Sequence, residues 1–352
     1  MAGRRHHYLP RFLQRPFAFH QKGKHFYVHA HHRTHGSFGT NVMELGQEVD
    51  FYGGPDDPSL DDKITAGERQ LSITVNKLNQ GEQVTSAEMA TLVCALGIRT
   101  KAMRSALTTM VPALIAGIRA KIQKERYVQR ELIRSLHDPA KRRQLIYEKL
   151  RKDHGHLSRE LQARLYSQMV PRWKSFVLEQ EHKFIEEAEH LLELFMDRLE
   201  SESEKIASKA FLGALSKGPE SPLRVQKMMA EMTFEVLESG PDERFILGDC
   251  GPVATFSDGK SRLALGAIEE GVDRSMIYLP ISPTRCVLAR RSRETTPLSL
   301  ASINQMSAEL SHEFFIAIES DGASLATLRQ AIGSLVPIAS HSDITRLIAD
   351  DR

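Results

Sequence analysis

Apolar and polar positions follow two periods along the chain. Near the amino end, His25-Phe26-Tyr27-Val28-His29 has the aromatic and β-branched content of a strand, and Gly23 just before it predicts a short β-hairpin. From Leu60 the period lengthens: Leu60, Ile64, Gly67, Leu71, Val75 and Leu78 keep helical spacing, with Asp61, Asp62 and Glu68 on the flanks and Ser59 ahead as a capping signal. Gly81 breaks that helix. Thr85-Ser86-Ala87-Glu88 opens the next as a capping box, running through Leu92, Leu96 and Arg99 toward Met110, with Pro112 expected to end or kink it. Helical periodicity continues through Arg119 to Leu150 and, after Asp138-Pro139 and the Gly155 region, from Ser158 to about Leu215. Gly218-Pro219-Glu220-Ser221-Pro222 closes the block, one more helix is predicted over about Leu223–Leu237, and Gly240-Pro241 begins a strand-rich regime. There Arg244–Leu247, Met276–Ile281, Thr284–Ala289 and Phe314–Ile318 read as strands, and Leu298–His312 as a helix carrying Asn304. A central strand tolerates proline poorly, so Pro280 is expected at a strand end or turn.

Strands at both ends predict an α+β fold in one domain, 1–352. A small mixed or antiparallel sheet would join the N-terminal β segment (1–58) to the C-terminal β/α segment (240–352), with a large helical block (59–239) inserted between them. Composition agrees with a globular chain: of 352 residues, 41% are hydrophobic and 26% charged. Cys94, Cys250 and Cys286 are too few and too scattered for a disulfide scaffold or a zinc site, which points to a reducing, cytoplasmic setting. The longest apolar run, Ala106–Ile118, is too short to span a bilayer and carries Pro112, so no membrane partner is expected.

Charge is unevenly placed. Residues 1–40 contain seven Lys or Arg and no acid, residues 99–160 hold 16 Lys or Arg against 6 acids, and residues 179–204 hold 2 against 10. Helices of opposite charge neutralise one another when packed antiparallel, whereas an uncancelled basic face suits phosphates. The spacing favours neutralisation, since Arg126, Arg130 and Arg134 fall on one stripe that Arg142, Arg143 and Lys149 need not continue; nucleic acid, met by the basic N-terminus and the basic helices, is the partner expected on the alternative reading.

His6-His7-Tyr8-Leu9-Pro10-Arg11-Phe12 concentrates ring nitrogens, a phenol and a guanidinium before a turn. Successive strand residues face opposite sides, so at most one of the two histidines enters a given site. A catalytic set would take His6 or His7 as metal ligand or general base, Arg11 on an anionic oxygen, and Asp249 as the carboxylate, an arrangement suited to phosphodiester hydrolysis. Tyr8, Arg99 and Pro252 are the substrate-binding candidates. Asp61 and Glu68, two helical turns apart, could hold a divalent metal ion, although a carboxylate such as Asp61 is equally expected at a helix N-terminus. Glu179/His182 and Glu187/His190 resemble a di-iron pattern but lie on one helix, which excludes it. Cys250, in a Gly-rich turn, reads as a small buried side chain. No phosphate-cradling loop or Gly-x-Ser-x-Gly elbow is present. Two functions follow as expectations: a nucleic-acid-acting protein such as a metal-dependent nuclease, or a non-catalytic interaction or regulatory module. The first requires His6 or His7, Arg11 and Asp249 to share one cleft.

Taken in order, the opening tract, Asp50-Phe51-Tyr52 before an acidic helix, Asp249 shortly before Pro252-Val253, and Leu279-Pro280-Ile281-Ser282-Pro283 resemble the bacterial domain-of-unknown-function family 4238 (DUF4238) over roughly residues 5–319. The resemblance implies a shared architecture in which these segments lie together. Gly248-Asp249-Cys250-Gly251-Pro252 departs from the family's Ser-Asp-Asn-Pro-Val turn, so only Asp249 and Pro252 carry over there.

Overall fold

The opening tract forms β1 (Arg5–His7), and Pro10, extended at φ −62° and ψ 140°, starts the one-turn helix α1 (Arg11–Gln14). The structure, a computed structural model, describes residues 5–53, 59–216, 222–265, 271–292 and 296–335. Residues 54–58, where Gly54-Pro55-Asp56-Asp57-Pro58 reads in sequence as a hard turn, and the Gly218–Ser221 part of the block's end lie outside these residues, as does the Ser59 side chain.

A 3-10 turn over Arg15–Phe17 leads to β2 (His20–Lys22), β3 (His25–His32), β4 (Gly36–Asn41) and β5 (Gln47–Val49). Gly23, at φ +60°, makes the predicted hairpin turn. β3 runs on past His29 to take in His31 and His32, and His35 lies in the turn that follows. Next come α2 (Ser59–Gln80), α3 (Ser86–Ile98) and α4 (Lys101–Lys124). Thr85 and Glu88 close the capping box in both directions. The second helix does not run on to Met110. It stops at Ile98, and α4 restarts at Lys101 and passes through Pro112 instead of ending there. Among the described helices α4 alone is long and apolar enough to cross a membrane, with mean hydropathy 1.2 over 18 residues. Ala106–Ile118 falls short of that length, and any 18-residue window within α4 takes in Arg104 or Arg119 with their flanking residues.

The expected 119–150 helix is broken at Arg126, which is left-handed at φ 48°. It resolves into the end of α4, then α5 (Tyr127–His137) and α6 (Pro139–His154), the latter capped by Asp138. Ser158 caps the 43-residue α7 (Arg159–Ser201), which is followed by α8 (Ser203–Ser216). α9 (Pro222–Glu231) is shorter than predicted, because 233–238 is drawn into a sheet as β6 (Thr233–Glu238), where it pairs along its whole length with a later strand. Then follow β7 (Leu247–Gly248), β8 (Val253–Phe256), β9 (Ser261–Leu263), β10 (Arg274–Ser282), β11 (Arg285–Arg290), α10 (Leu300–Leu310), β12 (Phe314–Ala317) and α11 (Ala323–Ala331).

The strands make three groupings rather than one sheet: β1-β5, then β6-β11-β10-β8-β9, then β2-β3-β12-β7 with β4 on β3. The ends of the chain do meet, since β12 pairs antiparallel with β3 from Phe314↔His32 to Ala317↔His29. Most of the carboxy-terminal strands nevertheless form a sheet of their own. Pro280 lies within β10, against the expectation of a strand end. Pairing with β8 stops at Tyr278 and the ladder with β11 shifts between Pro280 and Ser282, so the missing N–H falls where the ladder is already irregular. Asn304 on α10 accepts from Ile246 N at 3.0 Å and donates to Arg244 O at 2.8 Å, which occupies the backbone of a stretch expected to be strand.

Two compact units divide the chain, one from residues 1–111 and 205–340 and one centred on 112–204, so the helical block does not hold together as one body. In the first, Leu13, Phe17, Val28, Leu92, Leu96, Phe211, Ile277 and Leu279 share one buried core. In the second, α5 and α6 pack on α7, burying Leu136, Ile146, Leu150 and Val177. Trp173 donates from its indole to Leu136 O at 2.9 Å, and Tyr147 stacks on Tyr166 at 4.9 Å.

Candidate functional site

Two polar networks flank the opening tract, and both are built from residues far apart in the chain. On one side, Arg99 at the end of α3 is 4% exposed. Its Nε donates to Tyr52 Oη at 3.0 Å, and one terminal nitrogen donates to His7 O at 2.9 Å and Glu68 Oε1 at 2.6 Å. Tyr52 Oη itself donates to His7 O at 2.7 Å, and burial pushes its pKa up to about 12. His6 stacks on the Tyr52 ring at 5.2 Å, accepts from Tyr52 N at 3.1 Å through Nδ1, and turns Nε2 toward Asp61 at 3.9 Å. His7 projects to the other side of β1. Its Nε2 is buried without a hydrogen-bond partner among the described residues, and burial, helped by Arg11, holds its pKa below the ordinary histidine value.

The other network starts at Tyr8, 2% exposed, whose hydroxyl donates to Glu313 Oε2 at 3.3 Å. Lys101 reaches Glu313 at 2.8 Å and Glu48 at 3.4 Å, and Arg104 binds Glu48 at 2.9 Å. Burial and the neighbouring carboxylates of Asp249, Glu313 and Glu48 push the Tyr8 pKa up. Burial also raises Glu313, but the Lys101 ammonium more than offsets it, leaving that carboxyl below its usual range. Asp249, fully buried, accepts from His312 N at 2.6 Å and, through its other oxygen, from Glu313 N at 2.8 Å and Phe314 N at 3.3 Å. These three amides lead into β12, so Asp249 fixes the start of that strand and the bend before it that carries Glu313. Burial outweighs the three donors and pushes its pKa up to about 7.

The structure thus brings Tyr8, Asp249 and Glu313 together, and His6, His7, Asp61, Glu68 and Arg99 together. The proposed catalytic set does not share one open cleft: Arg11 is near enough to His7 to lower its pKa, but Asp249 is buried away from solvent. Arg11 is exposed, and both Asp249 oxygens are occupied by backbone, out of reach of solvent. Pro252 is buried and packs near Gly97 on α3, where a Cβ would come within 3.3 Å of its ring. Asp61 and Glu68 both face the β1 side of α2, but Glu68 is taken by Arg99, and the described residues contain no group of three or more His, Cys, Asp or Glu able to hold a metal ion. Cys250 is buried against Ser307 O at 3.5 Å, and its pKa is pushed up by burial. Sequence reasoning missed Glu48, Lys101, Arg104 and Glu313. Their one local signal is a charge beside an apolar run, which does not name a partner.

Charge is also unevenly spent in the 112–204 unit. Arg119 on α4 binds Glu193 at 2.6 Å and Glu200 at 2.7 Å as well as Asp197, so the acidic end of α7 has a basic partner. The basic end has few acidic ones. In 126–174, ion pairs join only Arg130 and Arg134 to Glu131 and Lys149 to Asp153 among the described residues. Lys141, Arg143, Arg151, Lys152, Arg159, Arg164, Arg172 and Lys174 are exposed and make none.

A family model described as Protein of unknown function (DUF4238) matches residues 5–314. No curated protein and no solved structure matches the chain.

Proposed function

Since the chain belongs to the DUF4238 family and membership brings no activity with it, we propose a function from the geometry: a nucleic-acid-binding protein that holds phosphates on the basic face of α5, α6 and the first half of α7. The observation that carries this reading is the uncancelled charge. Residues 126–174 hold 13 Lys or Arg against 5 acids, whereas the acidic half of α7 is met by Arg119. Long cations left without partners on one surface suit a polyanion. Exposed Tyr127 beside Arg130, 5.6 Å from its ring, adds a surface on which a base could stack. The reading is binding without cleavage, because the carboxylate expected to act in hydrolysis is held by backbone amides.

Cys94, Cys250 and Cys286, all unpaired and buried, support the cytoplasmic setting expected from sequence. The reading assigns no membrane to α4, whose Arg104 is held by Glu48 and whose Arg119 is held by three acids. A second reading, an interaction module, draws on one specific feature. Phe176, Leu191, Leu194 and Phe195 lie along one stripe of α7 and are 46 to 66% exposed.

Fluorescence anisotropy with labelled single- and double-stranded oligonucleotides tests the first reading. If four phosphates are contacted, affinity for duplex should fall about 12-fold for each doubling of salt, from a slope of roughly −0.9 per contact. Lys141→Gln/Arg142→Gln/Arg143→Gln should flatten that slope. Absent binding, or affinity indifferent to salt, refutes the proposal, and concentration-dependent self-association abolished by Leu191→Ser/Phe195→Ser would favour the second reading.

A further inference from the structure

The 1–111 and 205–340 unit contains a cavity that neither polar network uses. It has a volume of about 340 Å³ and lies among α3, α4, α8, α9 and β10. That is at the small end of the roughly 300–1,000 Å³ range in which pockets enclose organic ligands. Its walls are hydrocarbon and thioether, from Ile98, Phe211, Met228 and Leu265 among others, with Cys94 donating its thiol to Met228 Sδ at 3.8 Å. Flexible methionines suit a site shaped around a chain or ring rather than a polar ligand.

Cations are set into this apolar lining with too few carboxylates. Arg274 on β10 is half-buried, donates through Nε to Ala264 O at 2.6 Å, and has no ion pair among the described residues. Burial holds its pKa below the ordinary arginine value. Arg224 on α9 is half-buried as well and has neither ion pair nor hydrogen bond among the described residues. Both guanidinia act on the Cys94 thiol, which burial pushes up to about 11. The one lining carboxylate, Glu231, is already shared by Lys227 at 3.9 Å and Arg291 at 3.6 Å. A buried cation without a counter-charge is unfavourable, and a bound anion would supply what the fold withholds.

We propose that this cavity binds a small amphipathic anion, an aliphatic or aryl body with one carboxylate or phosphate head, the body lying on Phe211, Met228 and Leu265 and the head on Arg274 and Arg224. A polyanionic nucleotide does not fit so apolar a wall. The planar guanidinium matches either head group, which leaves the choice between them to experiment.

Isothermal titration of the full chain with octanoate, octyl phosphate and octanol tests this. At least one of the two anions should bind at a single site at least about tenfold more tightly than the alcohol, the size of one charge-assisted hydrogen bond. Arg274→Met should remove that preference while leaving octanol binding unchanged. It should lower the melting temperature by no more than the loss of its one hydrogen bond to Ala264 O implies, because the charge removed has no ion pair among the described residues. Ala214→Phe, which fills the cavity from α8, should abolish binding of all three ligands. Should Arg274→Met fail to fold, Arg224→Gln on the more open wall reads the same preference. Equal affinity for anions and alcohol, no saturable binding, or an anion preference that survives both arginine changes overturns the proposal.

Discussion

Glu68 and Arg99 form one ion pair, but removing each side should have unequal effects. The Arg99 side chain is 5% exposed and that of Glu68 30%, with 2.6 Å between them. Glu68→Ala strands the guanidinium among neutral acceptors, Tyr52 Oη and His7 O, with no counter-charge in contact. Breaking a fully buried pair in this way costs roughly 3–5 kcal/mol, and the partial exposure of Glu68 lowers that to about 2–3 kcal/mol. Arg99→Met leaves less behind. Tyr52 Oη keeps its bond to His7 O at 2.7 Å, Glu68 turns to water, and a methionine fills much of the same apolar space. The loss is then a few satisfied bonds whose net contribution is about 1 kcal/mol, plus the contact of the guanidinium with the Tyr52 ring. Glu68→Gln keeps an acceptor and should fall between the two. Urea titrations followed by far-UV circular dichroism, compared where the slopes agree, measure all three. A variant series in which Arg99→Met is the most destabilising member would show that the contacts of Arg99, rather than its unpaired charge, hold β1 to α2 and α3.

Asp249→Ala should destabilise by at least about 3 kcal/mol, because it orphans the amides of His312, Glu313 and Phe314 at roughly 1 kcal/mol or more each. A protein that melts unchanged after this substitution would mean that Asp249 is a solvent-reached group. His31 should make stability sensitive to mild acid. It is 1% exposed, stacks on Phe315 at 4.8 Å, and meets Ser37 Oγ at 2.8 Å and Glu319 O at 3.1 Å. Burial holds its folded pKa below the unfolded value, so its contribution is complete above about pH 6.5 and is lost as pH falls through the lower folded value. Melting temperatures of wild type and His31→Phe from pH 8 to 5 should converge as the pH drops, and a gap that widens in acid would refute the assignment.

Local chemistry was legible in the sequence. The Thr85/Glu88 capping box, the Gly23 turn, the Ser158 cap and the α2 period of Leu71, Val75 and Leu78 are fixed by residues within one or two turns of each other. So is the opposition of His6 and His7 across β1, which follows from the two-residue period of a strand. The segregation of charge between 99–160 and 179–204 is also a property of the chain itself.

Tertiary structure decided the rest, because partner choice depends on distance in space and not along the chain. Thr233–Glu238 carries a helical pattern yet becomes a strand, since its ladder with β11 satisfies the whole stretch of backbone. Pro280 sits inside β10 because β8 stops pairing at Tyr278, which no feature of the proline's own neighbours reveals. Asp249 looked like a free carboxylate, and only the approach of His312–Phe314, more than sixty residues away, turned it into a clamp for β12. Arg99 and Arg274 are both half or fully buried arginines at the ends of apolar stretches. The fold gives one of them a carboxylate of its own and leaves the other facing a cavity whose one carboxylate, Glu231, pairs with Lys227 and Arg291, a difference set by which elements surround each guanidinium.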